Sequence, residues 1–86
     1  VEPIENKVFV NLFPSPTYSD FITLDWKNLE ANSVYELYNS SGLRVGGGML
    51  YEISGSQNID LPFANGIYLI KIYQSDGIIT RRFAKK

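Results

Sequence analysis

The feature that most constrains the fold is the segment Gly66-Ile67-Tyr68-Leu69-Ile70-Lys71-Ile72-Tyr73, a run of β-branched and aromatic residues. Ser75-Asp76-Gly77 follows it, and then a second run, Ile78-Ile79-Thr80-Arg81-Arg82-Phe83. An Asp-Gly pair between two such runs is a strong short-range signal for a β-hairpin, because both residues tolerate the backbone angles of a tight turn. Side chains alternate across a strand, so Tyr68, Ile70 and Ile72 share one face and Ile67, Leu69 and Lys71 the other. Only the second set carries a charge, which assigns Tyr68, Ile70 and Ile72 to the core.

The rest of the chain repeats the pattern. Ser33-Val34-Tyr35-Glu36-Leu37-Tyr38 runs into Asn39-Ser40-Ser41-Gly42 and emerges as Leu43-Arg44-Val45, a second hairpin whose loop closes through the positive φ that Gly42 supplies. Tyr35 and Leu37 are expected inside and Glu36 outside. Residues 7–13 and 20–26 read as two more strands, separated by Pro14-Ser15-Pro16-Thr17, in which the prolines cannot donate to a ladder. Residues 49–53 and 58–61 bring the number of short strands to about eight. Gly46-Gly47-Gly48 reads as a loop, a bulge or a close approach of two backbones. No stretch sustains an apolar period of 3.6, and the pattern indicates antiparallel sheets in a sandwich or small barrel, with an immunoglobulin-like sandwich as the first expectation.

Eighty-six residues make one domain, and surface scaling for that size leaves about 60% of the unfolded surface buried. Twelve aromatics supply much of the area such a thin core needs. The net charge is −1, too balanced for a general nucleic-acid binder working by phosphate neutralisation. Its distribution is uneven, since Arg81, Arg82, Lys85 and Lys86 are half of the eight basic residues. No run reaches the length of a bilayer span, and Val1-Glu2-Pro3-Ile4-Glu5 lacks the basic start and apolar stretch of a signal peptide. The one methionine is Met49, so the chain is expected to be a piece of a longer protein, with any export signal upstream and residues 1–6 as the end of a linker.

Neither His nor Cys occurs, which removes the usual catalytic triads, thiolate chemistry and soft-metal ligands. Asp20, Asp25, Asp60 and Asp76 are scattered without the spacing of a calcium loop and read as turn-capping residues. The glycine run lacks the Gly-Lys-Ser/Thr ending of a phosphate loop. No catalytic residue, metal ligand or cofactor site is therefore expected. Tyr18, Trp26, Tyr38, Tyr51 and Tyr73 are weighed both as core or cross-strand aromatics and as a sugar-stacking platform. The final strand starts apolar and ends basic. That composition protects a solvent-facing sheet edge, and it equally suits an edge read by a receptor through strand addition, with basic side chains fixing the register.

Three segments in order resemble a known family: Phe13-Pro14-Ser15-Pro16-Thr17, Tyr35-Glu36-Leu37-Tyr38-Asn39-Ser40-Ser41-Gly42, and Asn65-Gly66-Ile67-Tyr68-Leu69-Ile70-Lys71-Ile72 with its basic last strand. Together they are similar to the type A C-terminal sorting domain of cargo exported by the bacterial type IX secretion system. The family commonly has Asn where this chain has Ser15, and lysines where it has Arg81-Arg82. The resemblance covers residues 10–86 and implies an immunoglobulin-like sandwich of about seven strands over residues 7–86. It also implies a domain that guides its cargo through the outer membrane, is received by a shuttle protein and is removed by a sortase-like peptidase in or upstream of residues 1–7. Such a domain passes through the periplasm to the cell surface and needs no second copy of itself. On this resemblance Lys71, Thr80, Arg81, Arg82, Lys85 and Lys86 are the expected recognition residues, and Pro14, Pro16, Gly42, Gly66 and Tyr68 the residues that fix the fold. The rival readings are an accessory carbohydrate-binding or adhesive module and a passive spacer.

Overall fold

Alternating apolar and polar residues between Gly, Pro and Asn punctuation produce seven strands: β1 Phe9–Phe13, β2 Phe21–Lys27, β3 Ser33–Asn39, β4 Arg44–Leu50, β5 Gly55–Asp60, β6 Gly66–Gln74 and β7 Gly77–Lys85. The computed structural model describes residues 8–62 and 64–86; the expected linker, residues 1–6, and Lys7 lie outside them. Two antiparallel sheets, in the orders β1-β2-β5 and β4-β3-β6-β7, face each other, giving the expected immunoglobulin-like sandwich. The alternation assigned from sequence holds where the core is densest: Tyr68, Ile70 and Ile72 of β6 pack with Tyr35 and Leu37 of β3, and Ile70 and Ile72 are fully buried. From the opposite sheet Ile22, Leu24 and Trp26 of β2 complete the centre, and Trp26 Nε1 donates to the Glu52 carbonyl at 2.9 Å.

One stretch differs from the sequence reading. Residues 43–45 and 49–53 are not two strands; β4 runs through the glycines without a break and pairs with β3 along its length, with one register shift between Leu37 and Tyr38. The glycines are what make this continuity possible. A Cβ on Gly48 would lie 2.8 Å from the Tyr35 hydroxyl and 3.0 Å from its ring, and one on Gly47 would lie 2.7 Å from the Tyr35 carbonyl and 2.8 Å from the Arg44 guanidinium. The inner side of β4 is thus filled by a neighbour's ring and the outer side by a neighbour's cation, so bare backbone is the only strand that fits. Ile53 falls in the connection to β5, which starts at Gly55, earlier than the expected residue 58. Gly55 lies under the Trp26 ring, another close aromatic and glycine pair.

Strand β1 and the segment after it tie the two sheets together. Pro14 and Pro16 offer no amide hydrogen, so the chain leaves the first ladder. Thr17 then joins the other sheet in a parallel bridge to β7, its N–H donating to the Ala84 carbonyl at 2.9 Å and its carbonyl accepting from the Lys86 N–H at 2.8 Å. Thr17 is fully buried, and its hydroxyl donates to the Phe21 carbonyl at 2.9 Å.

The two outer faces differ in chemistry. On the four-stranded sheet, Val34, Met49, Ile67 and Leu69 stand among Glu36, Lys71 and Arg82. On the three-stranded sheet, the outward positions of β1, β2 and β5 hold Phe9, Phe13 and Phe21 among Asn, Asp, Ser, Thr and Lys side chains, with no aliphatic residue.

Replacing Gly48 by Ala is expected to cost about 1–3 kcal/mol, because the Tyr35 ring must give way in a packed core. Gly42→Ala, where an added Cβ meets nothing but φ is +85°, should cost about 1–2 kcal/mol through backbone strain alone. Urea unfolding measures both; a Gly48→Ala domain with the parent midpoint would show that the Tyr35 ring does not fix β4.

Candidate recognition surface

The hairpin of β6 and β7 sets out the basic side chains. Its turn is Ser75-Asp76, with Gln74 opposite Gly77, and the register then places Lys71 opposite Thr80 and Leu69 opposite Arg82. Alternation puts Lys71, Thr80 and Arg82 together on the outer face of the four-stranded sheet, where Thr80 and Arg82 are exposed and Lys71 is half-buried. Strand β7 is also the edge of this sheet. Thr17 covers that edge only at Ala84 and Lys86. The same row of backbone groups continues at Arg82, Thr80 and Ile78, where no strand among the described residues pairs with it.

Beside the cations lies a hub that Lys71 touches. Glu36 Oε1 accepts from the Tyr38 and the Tyr73 hydroxyls, each at 2.6 Å, and Oε2 lies 3.0 Å from Arg44 Nε. The Lys71 ammonium sits 4.9 Å from the centre of the Tyr38 ring, a cation over an aromatic face. The two phenols, with Arg44 beside them, hold the Glu36 carboxyl below the usual carboxylate range. Conversely, its hydrogen bond to Glu36 pushes the Tyr73 phenol above the ordinary tyrosine range. With Glu36 paired to Arg44, Lys71 and Arg82 are the cations that remain on this face among the described residues.

The other basic residues of the tail do not join them. Arg81 projects from the opposite side of β7, between the inward Ile79 and Phe83, and reaches solvent at the sheet edge, with Nη1 donating to the Thr80 carbonyl at 2.9 Å. Lys85, two steps of the alternation beyond Arg81, is 8% exposed. Its ammonium donates to the Leu61 carbonyl at 2.8 Å and lies 3.5 Å from Asp20, closing the end of the sandwich. Lys86 is exposed, and its N–H holds Thr17. Of the residues expected to fix the fold, Pro14 and Pro16 lie between β1 and Thr17, Gly42 closes the loop between β3 and β4, and Gly66 begins β6. Tyr68 stacks on Phe83 with ring centres 5.7 Å apart, and its hydroxyl donates to the Ala64 carbonyl.

The five aromatics weighed as a platform are dispersed: Trp26 is buried, Tyr38 and Tyr73 are bound to Glu36, and Tyr18 and Tyr51 are exposed outside the strands. The Glu36 hub was not foreseen. Alternation alone puts Glu36 and Tyr38 on one face, but Arg44 reaches them through a β4 register that the glycine run concealed. Among the described residues no group of three His, Cys, Asp or Glu side chains is placed to hold a metal ion, and no helix is long and apolar enough to cross a membrane.

A profile of the family described as "Secretion system C-terminal sorting domain" matches residues 11–86. Among solved structures the chain is similar to PorZ, described as an essential bacterial surface component of the type IX secretion system of Porphyromonas gingivalis. The TM-score is 0.71 at 17% identity, over 90% of this chain and 11% of that one. The likeness is therefore one of fold, and this chain spans about a ninth of PorZ. No curated protein matches it.

Two substitutions separate the hub from the closure of the sandwich. The stabilising effect of Glu36 is present above the unfolded carboxylate pKa, about 4.3, and is lost as pH falls through the lowered folded value. The melting temperature of Glu36→Gln should therefore lie below that of the parent at pH 7, and the gap should close as pH falls through the lowered folded value; a constant gap would mean the carboxylate charge is not what Tyr38, Tyr73 and Arg44 hold. Lys85→Met leaves the Leu61 carbonyl without its ammonium donor and should cost about 1–3 kcal/mol in urea unfolding at neutral pH.

Proposed function

The chain belongs to the family of secretion system C-terminal sorting domains, and we propose that it is the address that directs an attached cargo across the outer membrane through the type IX system. In this reading residues 7–86 are the sorting domain and residues 1–6 the end of the linker from the cargo. A shuttle protein of the system receives the folded domain, and a sortase-like peptidase removes it in or upstream of residues 1–7, leaving the cargo at the cell surface or outside. The domain is a ligand and a substrate; it catalyses nothing and needs no cofactor.

The observation that carries the reading is the placing of Lys71, Thr80 and Arg82 on one exposed face, next to the open backbone of β7. A partner strand laid along Ile78, Thr80 and Arg82 would gain main-chain hydrogen bonds, while Lys71 and Arg82 select for acidic side chains and fix the register. The aliphatic residues of the same face, Leu69 among them, supply apolar contact of the kind protein interfaces use. Arg81 and Lys86 reach solvent outside this face and serve as peripheral attraction, whereas Lys85 acts by closing the fold. Val8 lines a shallow hollow with Asn28, Gln74, Gly77 and Ile78, at the end of the sandwich opposite Thr17 and Lys85, so the cargo joins the domain near the turn of the β6–β7 hairpin.

The test is export of a periplasmic reporter fused to residues 1–86 in a bacterium with this secretion system. Lys71→Glu combined with Arg82→Glu should lower surface delivery by about tenfold or more, since like charges then face the partner, while the purified domain keeps the parent melting temperature within a few degrees. Delivery at the parent level would sink the reading. A truncation after Arg81 would also remove Phe83 from the core and so confuse recognition with folding, which these point changes avoid.

A further inference from the structure

The outer face of the three-stranded sheet is built for a different kind of ligand. Along β1, Phe9 and Phe13 alternate with Asn11 and point away from the core, 43% and 42% exposed, so each ring offers a flank to solvent. Four residues of strand set them roughly 13 Å apart. Between the rings the register lines up Asn11, Asp25 and Ser56 across all three strands. This row of an amide, a carboxylate and a hydroxyl spans about 10 Å at ordinary strand spacing. Among the described residues strand β1 is the edge of its sheet.

The chemistry discriminates between classes of partner. Interfaces with other proteins are enriched in Met and Arg as well as in aromatics and depleted in Asp, Ser and Lys, and the four-stranded sheet presents Met49 and Arg82. The three-stranded face has rings beside Asp25, Ser56 and Lys27, with neither Met nor Arg. A pyranose needs this combination: its C–H face is apolar and stacks on a ring, while its rim of hydroxyls both donates and accepts, as an amide, a carboxylate and a serine require. A sheet face offers side-on contact and no enclosing walls, which fits the side of an extended chain better than a buried chain end. We propose that the outer face of β1, β2 and β5 is a glycan-binding platform, with Phe9 and Phe13 stacking sugar rings and Asn11, Asp25 and Ser56 hydrogen-bonding their hydroxyls. The platform lies on the other sheet from Lys71 and Arg82 and holds whether or not those residues are the address.

Native affinity electrophoresis of the 86-residue domain tests it, in gels containing separately xyloglucan, galactomannan, mixed-linkage β-glucan and dextran as neutral probes and alginate as an acidic one. Retardation is expected in at least one neutral gel. Phe13→Ala and Asp25→Ala should each weaken it about tenfold, Phe13→Trp should retain it, and Arg82→Glu should leave it unchanged. Circular dichroism and urea unfolding check that each variant is folded, and Phe9→Ala repeats the test at a second ring should Phe13→Ala not fold. The proposal is overturned if no neutral glycan retards the parent domain, if retardation survives loss of both rings, or if alginate alone retards it and Arg82→Glu abolishes the effect. It is equally overturned if Phe13→Ala changes only an oligomeric state seen by size-exclusion chromatography, which would make the face a protein contact.

Discussion

Phe83 comes from the last strand in chain order, yet it lies 2% exposed in the core, stacked on Tyr68. Removing a buried ring of this size costs about 3–5 kcal/mol, a large share of the 5–15 kcal/mol that holds a domain together. The same strand delivers the Lys85 ammonium to the Leu61 carbonyl and pairs its far end with Thr17. Both sheets therefore depend on β7: it is an outer strand of one and, through Thr17 and the β1 segment, an anchor for the other. A contact between residues as far apart in sequence as Thr17 and Lys85 closes a long loop and carries the entropy cost of doing so. The open row at Ile78, Thr80 and Arg82 exists as a surface only once that closure is made.

Alternation then divides the basic run. Read along the sequence, Arg81, Arg82, Lys85 and Lys86 look like one cluster. On a strand they cannot be one, since neighbours point to opposite sides. Arg82 goes out, toward Lys71; Arg81 and Lys85 go in, and the difference between them is position along the sandwich. Lys85 meets the carbonyl of Leu61 at the closed end, and Arg81 meets solvent at the open edge. A buried ammonium must have acceptors, and it has them. One strand thus carries a buried structural cation at Lys85 and a solvent-exposed one at Arg81, and mutational loss at the two positions has different physical meaning.

How much of this was legible before the coordinates follows from the same alternation. The hairpin of β6 and β7, the inward Tyr68, Ile70 and Ile72, and the inward Tyr35 and Leu37 were readable because a period of two acts over four or more residues. The glycine run was not, since residues without side chains show no period, and β4 is a strand only because Tyr35 and Arg44 occupy the space that side chains would take. The register of β4 was lost with it, and so was the bond from Arg44 to Glu36. The outward Phe9, Phe13 and Phe21 were within reach of the method. Val10 and Leu12 between and beside two of them point inward, so their alternation assigns those rings to the surface.

Rings on the surface raise the question of why a small sandwich would keep them there. Phe9, Phe13 and Phe21 would add to the core if turned inward, and the core of an 86-residue domain is thin. Strand geometry forbids it while Val10 and Leu12 of β1 and Ile22 and Leu24 of β2 face in, because a shift by one residue exchanges the whole strand's faces. The inner face of β1 is filled by aliphatic residues that pack, and the outer face by rings flanking hydrogen-bonding groups, a division that stability alone does not require. Exposed apolar area of this kind carries a solubility cost, and what offsets it is the polar row between the rings. The face is wet across its middle and apolar at its ends, which is the surface a polyhydroxylated ring can cover without leaving either part unsatisfied.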